Sequence, residues 1–200
     1  MINKLSAAFT DNLIAKGEID ESERELYIYG FFMFFSKALL FILTCSVGLL
    51  LNVFAQSIIF FIVFMTVRKY AGGYHAKTEA RCEILSFLSL SACVVLMKLS
   101  KILDIKITLF CTSTLCIILI FLLCPLDTPE KPLTDKELKY FRKRTRIILL
   151  CIVIAELVSF HFDFNIVFAP CCASVILEGI LIVSGKIKKD YNSKKASSPS

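Results

Sequence analysis

Tryptophan is absent from this 200-residue chain, and histidine occurs only at positions 75 and 161. Two imidazoles, with no HExxH pair and no paired CxxC spacing, leave little to hold zinc. No metal and no cofactor is expected. Polar sequence is scarce as well: 56% of the residues are hydrophobic and the mean hydropathy is +0.73, which argues against one soluble domain. The first 25 residues lack a basic stretch followed by an apolar core, so no cleavable signal peptide is expected. The first spanning helix would then direct insertion itself.

What the chain has in abundance is apolar runs approaching the roughly 20 residues that a membrane-spanning helix needs. They cover about 31–51, 53–67, 84–97, 107–126, 147–160 and 164–184. Residues 3–16 read as a short amphipathic helix, with Leu5, Ala8, Phe9 and Leu13 on one face. The fold class expected is therefore all-α: a polytopic membrane protein of about six transmembrane or re-entrant helices plus an N-terminal amphipathic helix. The runs at 84–97 and 147–160 are the short ones that could be re-entrant. Residues 1–185 form a single integral membrane domain in this reading, and 186–200 a basic tail without order from Asn192. Asp20 is placed to cap the helix that enters the first span. The second half of the 127–146 connector should be an exposed helix.

Most of the nine cysteines lie inside apolar runs, where a thiol acts as a small hydrophobe. Six spans put both termini on one side, and Lys and Arg then divide 19 to 3 between the two sides. The poor side has only Lys98, Lys101 and Lys106. That asymmetry places both termini, the 68–82 segment and the 127–146 connector in the cytoplasm, and accounts for the net charge of +6 without nucleic acid. Lys37 and Glu178 each lie about 9 Å deep at helical rise. An ion pair between the first and sixth spans would explain both, and snorkelling would explain Lys37 alone. Glu156 is expected to reach the outer interface.

Between the second and third runs stands a charged, glycine-bearing island, RKYAGGYHAKTEARC, from Arg68 to Cys82. Its thiol and imidazole are the parts needed for nucleophilic attack on a carbonyl. Arg81 and Glu83 flank Cys82 at a water-facing boundary, and Lys77 and Arg81 give it the basic surroundings that suit a nucleophilic sulfur. A small residue tolerated at a helix start is the plainer reading. An unbroken helix would hold His75 and Cys82 roughly 10 Å apart along its axis. Proton transfer needs about 3 Å, or one intervening water, so the segment must bend. Gly72 and Gly73 give the backbone that freedom. Arg68 and Lys69 could bind a carboxylate or a lipid phosphate, or anchor the inner side. Glu79 could orient the imidazole or be a surface charge.

Arg68, Gly72, Gly73, His75 and Cys82 at this spacing, followed by the connector Pro125-Leu126-Asp127-Thr128-Pro129-Glu130-Lys131-Pro132, resemble the accessory gene regulator B (AgrB) family of bacterial membrane peptidases. The resemblance runs over nearly the whole chain. It implies a membrane cysteine endopeptidase of quorum sensing in the bacterial cell membrane, with Cys82 and His75 catalytic. Arg68, Lys69, Gly72, Gly73, Glu79 and Lys131 would bind substrate or support the site. The implied substrate is a small amphipathic propeptide. Its C-terminal tail is cleaved through an acyl-thioester on Cys82, and the remainder is cyclised to a thiolactone. The lipid bilayer and a second copy of the chain are the other partners implied.

A non-enzymatic membrane chaperone or exporter of a small peptide is the alternative, and it would not need Cys82. A lipid-modifying transferase is disfavoured, because the DxxDGxxAR-type metal signature of one common class is absent.

Overall fold

The computed structural model describes residues 2–73, 79–126 and 134–197. Among these residues there are seven α-helices, a short 3-10 turn and no strand. The helices are α1 (Ile2–Ala15), α2 (Arg24–Leu50), α3 (Phe54–Ala71), α4 (Glu79–Leu103), α5 (Lys106–Leu123), α6 (Asp135–His161) and α7 (Asn165–Ser197). Five of them, α2, α3, α4, α5 and α7, are long and apolar enough to cross a membrane. The chain is an all-α polytopic membrane protein. It divides into two compact units, 1–43 and 44–200.

In the first unit, α1 is the amphipathic helix expected, and Leu5, Ala8, Phe9 and Leu13 line one groove along it. Its small polar residues cost little to bury, because Ser6 and Thr10 donate to the carbonyls of Ile2 and Ser6 at 3.0 and 2.9 Å. Phe9 meets Phe31 of α2 edge-on at 4.8 Å, an orientation that suits the ring quadrupoles. Arg24 closes the pair with a forked contact to Asp11 at 2.8 and 3.3 Å. Asp20 stands before the 3-10 turn Glu21–Glu23 but makes no side-chain cap. Its carbonyl instead accepts the Glu23 N–H at 3.0 Å. Lys37 is exposed on α2.

The second unit is built around α7, which contacts α3, α4, α5 and α6. Small residues let neighbouring backbones approach it: Ala169, Cys171, Cys172, Ala173, Ser174 and Gly179 are all buried. A Cβ on Gly179 would come within 2.9 Å of Cys116 Cβ on α5. Pro170 lies inside α7, and Ser174 donates to its carbonyl at 2.7 Å.

Neither short run stands alone. The 84–97 run is the middle of a 25-residue helix, α4, because its charged flanks remain helical. The 147–160 run and the exposed end of the connector form one helix, α6, of 27 residues. Thr134 and Glu137 start α6 with a reciprocal capping box. Helix α7 continues to Ser197, past Asn192, where composition predicts loss of order. Glu156 also departs from its expected place: it is 1% exposed and accepts a 2.7 Å hydrogen bond from Ser113 of α5. That partner offsets part of the cost of burying the carboxyl group.

The ends of the second unit are easily told apart. At one end Gln56 of α3 donates to the Asn165 carbonyl at 3.1 Å. Lys106 of α5 binds Asp163 at 2.5 Å and the Phe160 carbonyl at 3.1 Å there. Helices α3 and α5 finish together at the other end, where Leu126 N–H donates to the Ala71 carbonyl at 3.0 Å. Tyr70 lies 6.0 Å from Phe141, which brings the start of α6 to the same place.

Candidate active site

Helix α3 stops where it does because of two glycines. Gly72 and Gly73 take φ values of +79° and +130°, which side chains with a Cβ rarely adopt. Gly72 forms an isolated parallel bridge with Leu126. A Cβ on Gly72 would lie 3.0 Å from the Leu126 carbonyl oxygen, and one on Gly73 would collide with Arg68 Nη1. The glycines thus serve both backbone angle and close approach.

Arg68, one turn before the end of α3, folds back over this segment. Its Nη1 donates to the Gly72 carbonyl at 2.7 Å and lies 3.6 Å from Glu178 Oε1 of α7. Glu178 is fully buried, and neither of its oxygens accepts a hydrogen bond among the described residues. The cation that faces Glu178 within this unit is therefore Arg68. Cys124, the C-cap of α5, is buried within the field of both charges. Lys69 is exposed and sits 5.3 Å from the centre of the Tyr70 ring.

Cys82 is the fourth residue of α4 and is partly exposed. All nine cysteines are free thiols: six are buried, and Cys111 and Cys151 are exposed on the shafts of α5 and α6. Cys82 alone lies in the first turn of a helix, between exposed Arg81 and half-buried Glu83. Helix α4 meets α7 where Cys93 Sγ approaches the Ala173 carbonyl at 4.0 Å. From that point Cys82 lies about 16 Å of helical rise toward the α4 N-terminus. That is the end at which α3 and α5 finish.

The residues brought together are thus Arg68, Gly72 and Gly73, joined by Glu178 and Leu126, which the motif did not include. Glu178 was visible in the sequence as a charge inside an apolar run, but the signal for its partner was tertiary. His75 and Lys131 lie outside the described residues, and Glu79 opens α4. No cluster of three or more metal-ligating side chains occurs among the described residues.

The profile of the family described as accessory gene regulator B matches residues 3–182. The chain is 26% identical over 173 residues to an AgrB-like protein of Clostridium perfringens, covering 83% of this chain and 80% of the relative. It is 28% identical over 148 residues to accessory gene regulator protein B of Staphylococcus intermedius, covering 73% and 77%. With protein FsrB of Enterococcus faecalis the identity is 27% over 175 residues, covering 86% and 67%. No solved structure matches. A match over residues 3–182 takes in both the helical bundle and the glycine-bearing segment, and the chain belongs to the accessory gene regulator B family.

Proposed function

We propose that this protein is a membrane cysteine endopeptidase that trims and cyclises a small amphipathic propeptide for quorum sensing. The observation that carries the reading is Cys82: a partly exposed thiol in the first turn of α4, at the end of the bundle where Gly72 and Gly73 release the chain toward His75. A thiol buried in the apolar shaft could not meet a peptide bond in the same way.

In this reading His75 takes the proton of Cys82, and Sγ attacks the carbonyl carbon of the peptide bond before the propeptide's tail. The C–N bond breaks, His75 returns the proton to the departing amine, and the acyl group remains on Cys82 as a thioester. A thiol within the same peptide then attacks that thioester. The new ring thioester forms as the Cys82 sulfur departs and takes up the attacking thiol's proton, so one thioester replaces another and the enzyme is restored. The step needs proximity more than driving force. An interfacial site that excludes water protects the acyl-enzyme from hydrolysis. The distribution of Lys and Arg supports a site and both termini facing the cytoplasm of a bacterial cell. A second copy of the chain belongs to the same proposal.

The test is the full-length protein in liposomes with the peptide of the neighbouring small reading frame. Loss of tail release in both Cys82→Ser and His75→Ala supports the reading. Tail release that persists in Cys82→Ser overturns it and favours an exporter or chaperone.

A further inference from the structure

The geometry points to Glu178 as a positioning residue that acts through Arg68 to hold the Gly72–Gly73 segment, and with it the start of the chain leading to His75. The inference deepens the peptidase reading above and rests on it for its catalytic half.

Three observations converge. Glu178 is fully buried, yet both carboxylate oxygens lack a hydrogen bond among the described residues. A buried carboxylate kept for its own stability is normally saturated with donors. Here what faces it is the Arg68 guanidinium at 3.6 Å, beyond hydrogen-bond length. The carboxylate therefore acts on Arg68 as a charge, holding a partly exposed guanidinium against the bundle. Arg68 in turn donates to the Gly72 carbonyl at 2.7 Å. A Cβ on Gly73 would collide with Nη1 and lie 3.6 Å from Glu178 Oε1, so the chain passes directly over the pair. On its other side the segment is held by the Leu126 N–H to Ala71 carbonyl bond.

Gly73 precedes His75 by two residues, so holding Gly73 fixes the point from which the sequence continues to His75. Neutralising Glu178 removes the charge that faces Arg68, weakens the hold of Arg68 on the Gly72 carbonyl and loosens that point. Displacements of about 1 Å at a reacting group cost on the order of 100-fold in rate. With Arg68 acting as a support of the segment rather than as a contact to substrate, the loss falls on kcat and KM is little changed.

The test compares full-length wild type with Glu178→Gln in liposomes, using hydrogen exchange and propeptide cleavage. The inference expects faster exchange at the Gly72 and Leu126 amides, with the α7 interior around Ser174 unchanged. It also expects kcat to fall about 10- to 100-fold while KM stays within about twofold. Wild-type exchange at those amides, or a wild-type kcat, overturns it.

Should Glu178→Gln fail to assemble, Gly73→Ala attacks the same contact from the segment's side. It should show the same loss of kcat, and a wild-type kcat there overturns the inference equally. A wild-type protein that does not cleave refutes the peptidase reading instead, and the exchange comparison still decides the role of Glu178.

Discussion

Gly72 and Leu126 lie side by side in a single parallel bridge, and it is the described backbone link between the segments that follow α3 and α5. The bridge joins the glycine pair of the first motif to the start of the proline-bearing connector, two stretches more than 50 residues apart.

Gly72→Ala should open this bridge. Its φ of +79° disfavours any Cβ, and the added methyl would press on the Leu126 carbonyl at 3.0 Å. A cost of about 1–3 kcal/mol is expected for the strained backbone. Thermal unfolding in detergent should register it, and propeptide cleavage should fall with it. An unchanged melting temperature and unchanged cleavage would mean the bridge is incidental.

Ser113→Ala leaves the buried Glu156 carboxylate without its 2.7 Å donor. A loss of about 1 kcal/mol is expected, since hydrogen bonds between membrane helices are worth that order. Adding Glu156→Met should recover part of the loss, because the paired apolar replacement leaves no orphaned group. A double variant less stable than Ser113→Ala would show that Glu156 has a favourable role beyond this pair.

At the opposite end, the two members of the Lys106–Asp163 pair should respond unequally. Asp163 is largely exposed, so Asp163→Asn should change stability by less than about 0.5 kcal/mol. Lys106 also donates to the Phe160 carbonyl at 3.1 Å and lies 4.8 Å from the centre of that ring. Lys106→Ala should therefore cost about 1–2 kcal/mol. Equal effects of the two variants would contradict this asymmetry.

The orientation read from charge is open to a labelling experiment. A membrane-impermeant maleimide added to intact cells should modify Lys101→Cys at the α4–α5 turn, and Lys188→Cys only after lysis, in a background with the native cysteines replaced. The reverse pattern would invert the topology.

The helices were legible because each contains an apolar run, and even the amphipathic face of α1 could be read from the spacing of Leu5, Phe9 and Leu13. Helix lengths were less so. Hydropathy registers only apolar stretches and splits α6 at Arg146, although the Thr134–Glu137 box marks where that helix begins. The glycine pair was legible as the place where the chain bends, since positive φ and close approach are demands that glycine answers visibly at 72 and 73. The partner of Glu178 was not. Depth along a helix ranks candidate cations, but only packing of α3 on α7 selects Arg68. Glu156 was misread for the same reason, because its donor Ser113 is a neutral residue 43 positions away.

The central claim is a covalent bond to one sulfur. Wild-type protein mixed with propeptide in liposomes, acid-quenched and digested, should yield the peptide containing Cys82 carrying the mass of the trimmed propeptide. The adduct should be sensitive to hydroxylamine, as a thioester is, and absent in His75→Ala. The same adduct mass on any of the other eight cysteines, or tail release with Cys82 unmodified throughout the time course, would contradict the account.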